Sequence, residues 1–400
     1  PRERAVMLRA AARGLAAARD ELLTVMAGEA GKTVAEADPE ISEAVDFAAY
    51  YAERADELAG APFTPDRVVV VTPPWNFPVA IPLGGPLAAL AAGAAVILKP
   101  APEVRACAEV GVAALHRAGV PADALQLVPT DEGAAGRRLV THPDVDHVVL
   151  TGASETAALF RSWRPDLGLI AETSGKNALV ITPSADPDLA VADLVRSAFG
   201  HAGQKCSAAS VAILVGAMGR RAAPGRRFRR QLADAVRTLR VGGPDDLGTR
   251  VGPLITPPGE RLHRALTTLE PGERWLVEPR RLGERLWSPG VREGVAAGSW
   301  FHTTECFGPV LGLMHARDLD EALAWQHGTG TGLTGGLHAL DPDEIAHWSE
   351  HVRVGNAYVN RHMTGAIVAR QSFGGWGTSV VGPGGKPGGP HYVAQFGVWH

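Results

Sequence analysis

The 400-residue chain is 46% hydrophobic and 20% charged, with a formal net charge of −4. That is enough apolar material for two cores, since single cores rarely grow past about 250–300 residues, and it speaks against disorder. The mild acidity sets aside nucleic acid and anionic membranes as partners and leaves a small, neutral to anionic molecule.

The chain opens at Pro1 in a helical pattern, with Met7, Leu8, Ala11 and Leu15 followed by Leu22, Leu23 and Met26. There is no initiator Met, and the expectation is that the natural N-terminus lies upstream. From Arg67 onward short apolar runs alternate with helical stretches: 68–72, 95–98, 125–128, 147–150 and 167–171. Near-continuous apolar strands between helices predict a parallel sheet covered on both faces. The stretch 81–98 is the longest apolar one, but Pro82, Pro86 and several glycines break it, so it reads as loop, helix and strand and not as a membrane span. Beyond Glu172 the alternation resumes at 178–182 and 211–215, loosens over 217–299, and returns at 310–315 and 357–360, which predicts a second α/β domain. A Gly/Pro-dense stretch, 374–389, leads to an apolar end, 392–396, expected as an edge strand. Three cysteines, Cys107, Cys206 and Cys306, suit a reducing compartment, and with no signal peptide in view the expected location is the cytoplasm.

Three residues stand where chemistry can be done. Cys206 lies in Gly203-Gln204-Lys205-Cys206-Ser207-Ala208, a glycine-led turn between a helix and a strand, where amides and a cation favour the thiolate. Taken alone, a single cysteine is more often a buried structural residue. Glu172 ends an apolar run ahead of Thr173-Ser174-Gly175-Lys176, at a strand end where α/β folds place working groups; desolvation there would raise its pKa toward that of a useful base, whereas most glutamates are merely exposed. Asn76 lies in Thr72-Pro73-Pro74-Trp75-Asn76-Phe77-Pro78, where rings and prolines fix one amide that can donate to an oxyanion or simply form an Asx turn.

These segments, in this order, resemble the aldehyde dehydrogenase superfamily. Asn76, Lys99, Gly152, Glu172, Cys206 and Glu305-Cys306-Phe307-Gly308-Pro309 match its oxyanion asparagine, ribose lysine, pyrophosphate turn, general base, nucleophile and nicotinamide-ribose glutamate. The resemblance covers nearly all of the chain and lacks the family's first several dozen residues. It implies an α/β fold: an N-terminally truncated Rossmann-type NAD-binding domain over 1–175, an α/β catalytic domain over 176–375, and a return with an oligomerisation strand over 376–400. Cys206, Glu172 and Asn76 are then catalytic, and Lys99, Gly152, Glu305, Phe307, Pro74 and Trp75 hold NAD. More narrowly, Glu172-Thr173-Ser174-Gly175-Lys176-Asn177, Gly203 to Ser210 and Thr364-Gly365-Ala366-Ile367-Val368 resemble the L-glutamate γ-semialdehyde (1-pyrroline-5-carboxylate) dehydrogenases, which stand alone or as the C-terminal part of bifunctional proline utilisation A proteins. That implies Ser207, Gly365 and Ala366 as holders of the substrate α-carboxylate, by a hydroxyl and a backbone nest. It also implies a homo-oligomer, and fusion to or pairing with a proline dehydrogenase. The alternatives are a dehydrogenase for another carboxylated semialdehyde, a non-catalytic module of a bifunctional protein, and a cysteine hydrolase, the last disfavoured because no histidine is tied by motif to Cys206.

Four positions depart from the family pattern: Pro102 in place of a glutamate, Ala153 in place of a serine, Thr331 in place of an aromatic and Gly377 in place of a basic residue. They imply weakened cofactor binding. The cluster Arg220, Arg221, Arg226, Arg227, Arg229 and Arg230 reads as a solvated face, Cys306 as a packed small hydrophobe, and the histidines show no zinc-type spacing, so no metal is expected.

Overall fold

The computed structural model describes residues 1–131, 133–221 and 223–400. It divides into two compact units: Pro1–Thr173 with Ala366–Gly374 and Val380–His400, and Ser174–Gly365 with Gly375–Ser379.

The first unit carries a six-stranded sheet, from edge to edge Val380–Val381, Gly168–Thr173, His147–Gly152, Val68–Thr72, Ala95–Leu98 and Leu125–Leu127. Neighbours are parallel except Val380–Val381, which pairs antiparallel with Gly168–Thr173. Side chains alternate faces along each strand. Val70, Val148, Leu150 and Leu169 pack with Ala157 and Phe160 of the helix Ser154–Trp163, while the helix Ala80–Ala92 lies against Val68–Thr72 and Ala95–Leu98. Both faces are therefore apolar, and the strands read as the unbroken runs seen in the sequence. Strand order proceeds outward from Val68–Thr72 on one side and resumes on its other side at His147–Gly152, a topological switch point, where α/β sheets bind ligands at the carboxyl ends of their strands. The long helix Val34–Glu57 buries Ile41, Ala44, Ala48, Tyr51, Ala52 and Ala55 at helical spacing.

The apolar end differs from the expected strand over 392–396. Tyr392, Val393 and Phe396 are buried, a spacing that suits a turn of helix, and a 3-10 turn spans Val393–Gln395. The strand follows at Gly397–Trp399, antiparallel to Phe63–Pro65.

The second unit carries a seven-stranded sheet in the order Asn356–Val359, Thr334–His338, Asn177–Ile181, Ala209–Val215, Val310–Ala316, Gly290–Glu293 and Arg274–Val277. Only Arg274–Val277 runs antiparallel to its neighbour. The stretch 217–299, read as loose, holds two of these strands and the helices Gly225–Arg237 and Glu260–Thr267. Gly290–Glu293 is buried throughout although half of it is charged, so its burial leaves no apolar trace. The arginine cluster is also not uniformly solvated. Arg229 faces inward on its amphipathic helix, donating to Glu293 Oε1 at 2.5 Å and to the carbonyls of Met218, Gly219, Arg220 and Gly225. Among the described residues, no helix is long and apolar enough to cross a membrane.

Candidate active site

In the first unit, four of the singled-out residues sit at the carboxyl ends of adjacent parallel strands. Asn76 follows Val68–Thr72 and is 2% exposed, held in the loop before the helix Ala80–Ala92, with Pro74 and Trp75 half-buried beside it. Lys99 follows Ala95–Leu98, its N–H donating to Val71 O at 2.9 Å. Gly152 closes its strand, and Glu172 is paired with Thr151 on one side and Val380 on the other. Burial raises the Glu172 carboxyl to about 8 against the pull of Lys386.

The helix Ser154–Trp163 begins just past Gly152, and its N-cap residue, Ala153, supplies no side-chain cap. Its leading amides and the positive end of its dipole suit a phosphate. This turn, the lysine two strands away and the switch point between them fit a dinucleotide.

In the second unit, Cys206 is partly exposed in the turn that feeds Ala209–Val215. The backbone ahead of it is left-handed at three successive residues, His201, Ala202 and Gly203 (φ 52°, 52° and 69°). Gly203 admits no other residue, because a Cβ there would lie 2.2 Å from Gly308 O. The nucleophile turn thus rests backbone to backbone on the segment that contains Glu305 and Phe307. Asn177 braces it further, donating from Nδ2 to Cys206 O at 2.6 Å and Ala208 O at 3.1 Å while its Oδ1 accepts from Thr334 N at 3.0 Å. Gln204 accepts from Ile255 N and donates to Pro253 O. Ser207 is buried, and its carbonyl accepts from Thr334 Oγ1 at 3.1 Å.

Glu305 is half-buried and accepts from Gly175 N at 3.1 Å; Phe307 holds a positive φ of 55°. A small cavity of about 20 Å³, room for roughly one water, lies among Gly203, Lys205, Glu305, Phe307, Lys176 and Cys306. Burial raises the Cys306 thiol, as befits a packed small hydrophobe. Gly365 is exposed with φ 86°, and a Cβ there would meet nothing within 4 Å; its carbonyl accepts from Tyr358 Oη at 2.9 Å. Ala366, half-buried, is the next residue of the chain and belongs to the first unit.

Two features were not legible beforehand. Lys176 is buried, its Nζ without a hydrogen-bond partner and 4.2 Å from the centroid of Phe301. Burial lowers it to about 8, against the pull of Cys306 and Glu305. Asn177 belongs to a quoted motif, but nothing in a single sequence marks it as a brace for the cysteine turn.

The sequence profile described as the aldehyde dehydrogenase family matches residues 1–398. The bifunctional protein PutA of Rhizobium meliloti is 37% identical over 98% of this chain, which spans 32% of that protein's length. The 1-pyrroline-5-carboxylate dehydrogenase of a Geobacillus strain is 34% identical over 98% of this chain and 79% of its own. Among solved structures, proline utilization A from Corynebacterium freiburgense superposes with a TM-score of 0.96 at 62% identity, covering 100% of this chain and 41% of that one.

Proposed function

The chain belongs to the aldehyde dehydrogenase family, and from that premise we propose that it oxidises L-glutamate γ-semialdehyde to L-glutamate with NAD as hydride acceptor. The observation that carries the substrate is the likeness to a 1-pyrroline-5-carboxylate dehydrogenase over 79% of that enzyme's length. The buried Ser207 directly after the nucleophile, and the open left-handed turn at Gly365, are consistent with carboxylate binding.

In this reading the Cys206 thiolate adds to the aldehyde carbon, and the amide of Asn76 and the Cys206 N–H stabilise the oxyanion. Bound NAD would supply the acceptor for the hydride of that carbon, the oxidation that turns the Cys206 adduct into a thioester. Lys99 and the 152–154 turn hold its adenosine and phosphate portions, Glu305 its nicotinamide ribose, with Phe307, Pro74 and Trp75 packing alongside. Glu172 then removes a proton from water, which attacks the thioester carbonyl; the carboxylic acid leaves and the thiolate is restored. Ser207, Gly365 and Ala366 fix the α-carboxylate and so the distance from the aldehyde to Cys206. We further propose that the chain acts as a homo-oligomer in the cytoplasm and is joined to or paired with a proline dehydrogenase, as the PutA relatives suggest.

The test is to follow NADH formation with glutamate semialdehyde, succinate semialdehyde and an uncharged aldehyde of similar length. Preference for the first supports the assignment. Equal kcat/KM for all three would leave an aldehyde dehydrogenase of other specificity.

A further inference from the structure

The helix Ala80–Ala92 begins at an N-cap residue, Val79, whose own side chain makes no cap bond. The first amides of a helix need acceptors when buried. The acceptor comes from another element. Glu40, on the helix Val34–Glu57, takes Val79 N–H at 2.7 Å and Ala80 N–H at 3.1 Å on its Oε1. Its other oxygen is bonded to Lys32 Nζ, and both side chains are at most 1% exposed. The same ammonium lies 4.4 Å from the centroid of the Phe77 ring.

The pair therefore grips the loop at Phe77, immediately after Asn76, and again at Val79 and Ala80. Stability alone gives little reason for this arrangement. A buried ion pair repays its desolvation poorly, and well-packed apolar residues often do as well, so its better-attested use is to fix one arrangement among several. The element fixed here is the one that carries the amide, and misplacing a catalytic group by about 1 Å costs on the order of a hundredfold in rate.

We propose that Glu40, held by Lys32, is a positioning residue that sets the aim of the Asn76 amide; this rests on the reading of Asn76 as the oxyanion donor. Neither Lys32 nor Glu40 touches substrate in this scheme. Removing Glu40 frees the start of the helix and lets the 76–79 loop shift, which weakens oxyanion stabilisation and leaves the cofactor residues on the other strands in place.

A double-mutant cycle on the rate of NADH formation in the first turnover tests this in the full chain. Glu40→Ala should slow that rate about tenfold to a hundredfold, with NAD affinity by calorimetry changed less than about threefold. Glu40→Gln, which keeps one accepting oxygen for the Val79 and Ala80 amides but turns a donor toward the Lys32 ammonium, should recover part of the rate. In the Asn76→Ala background, Glu40→Ala should cost no more than about twofold further. The same factor lost in both backgrounds, or no loss in either, overturns the proposal and leaves Glu40 as a helix cap only. An Asn76→Ala variant as fast as the parent would instead defeat the oxyanion reading, and this proposal with it. If Glu40→Ala does not fold, Lys32→Gln carries the cycle: its smaller loss must likewise vanish when Asn76 is absent, and persistence at full size overturns the inference.

Discussion

At the scale of single residues, the proposed division of labour between Cys206 and Glu172 separates in time. Cys206→Ala should abolish aldehyde-dependent NADH formation in protein of unchanged circular dichroism; retained turnover refutes the nucleophile. Glu172→Gln should preserve a first-turnover burst of NADH and slow the steady state that follows, because it removes the base for deacylation; loss of both together would move Glu172 to the first half of the reaction. Burial holds the Glu172 carboxyl near 8, and a base acts only when deprotonated, so the deacylation rate should climb with pH through about 8 and flatten above it. Lys386 opposes that elevation, while the Glu43 carboxyl, itself raised to about 8 by burial and Glu40, and the Tyr392 phenol both sense the Glu172 charge. Lys386→Met should therefore move the midpoint upward; a downward move would mean the lysine does not act on Glu172 as a charge. Ser207→Ala should lower kcat/KM for the carboxylated substrate roughly tenfold to a hundredfold, since a hydrogen bond to a charged group is worth about 1.5–3 kcal/mol, and leave an uncharged aldehyde little affected. An equal loss on both would assign Ser207 to support of the cysteine turn.

At the scale of elements, the sequence reveals what burial writes in apolar letters. The strands Val68–Thr72 and Ala95–Leu98 coincide with the runs read in advance, because a strand covered on both faces has no polar side. Thr334–His338 escaped because two of its five residues are glycines, which look like a turn, and Gly290–Glu293 because Arg292 and Glu293 are buried charges. The same blindness hides Lys32 and Glu40: spaced eight apart, they look like two solvated charges, and only tertiary structure shows them facing inward on the loop they hold. The nucleophile turn was legible as a motif, but its support by Asn177 and the close approach of Gly203 to Gly308 lie between segments far apart in sequence. One element carries a prediction of its own. The helix Ser154–Trp163 offers phosphate its amides and dipole, but its N-cap residue, Ala153, supplies no side-chain cap, and Pro102 occupies a position where an acid is common. Cofactor should bind weakly, with NAD ahead of NADP, because only Lys99 is placed by motif to meet a 2′-phosphate. Calorimetric titration with both decides it, and tighter NADP would overturn the preference.

At the scale of the whole molecule, the first unit is discontinuous in sequence, since it is completed by Ala366–Gly374 and Val380–His400. These late residues supply the edge strand Val380–Val381 against Glu172 itself. They also supply Gly388, whose N–H donates to the buried Tyr51 hydroxyl at 2.9 Å, and Tyr392, whose ring stacks on Tyr51 with centroids 6.0 Å apart. Tyr392, Val393 and Phe396 are at most 3% exposed. Burying a large apolar side chain contributes about 1.5–3 kcal/mol, so the three together approach the roughly 5–15 kcal/mol by which a native domain is stable. A chain ending at residue 365 should therefore lose the fold of its first unit and NAD binding with it. The seven-stranded sheet should persist, because every one of its strands precedes that point. Hydrogen exchange by mass spectrometry separates the outcomes: peptides from 68–72 and 147–152 should exchange fast in the truncated chain while those from 177–181 and 209–215 stay protected. Retained protection of the first group together with normal NAD affinity would show that the first 173 residues hold their fold without the returning segment, and that the tail serves only to set Lys386 beside the base.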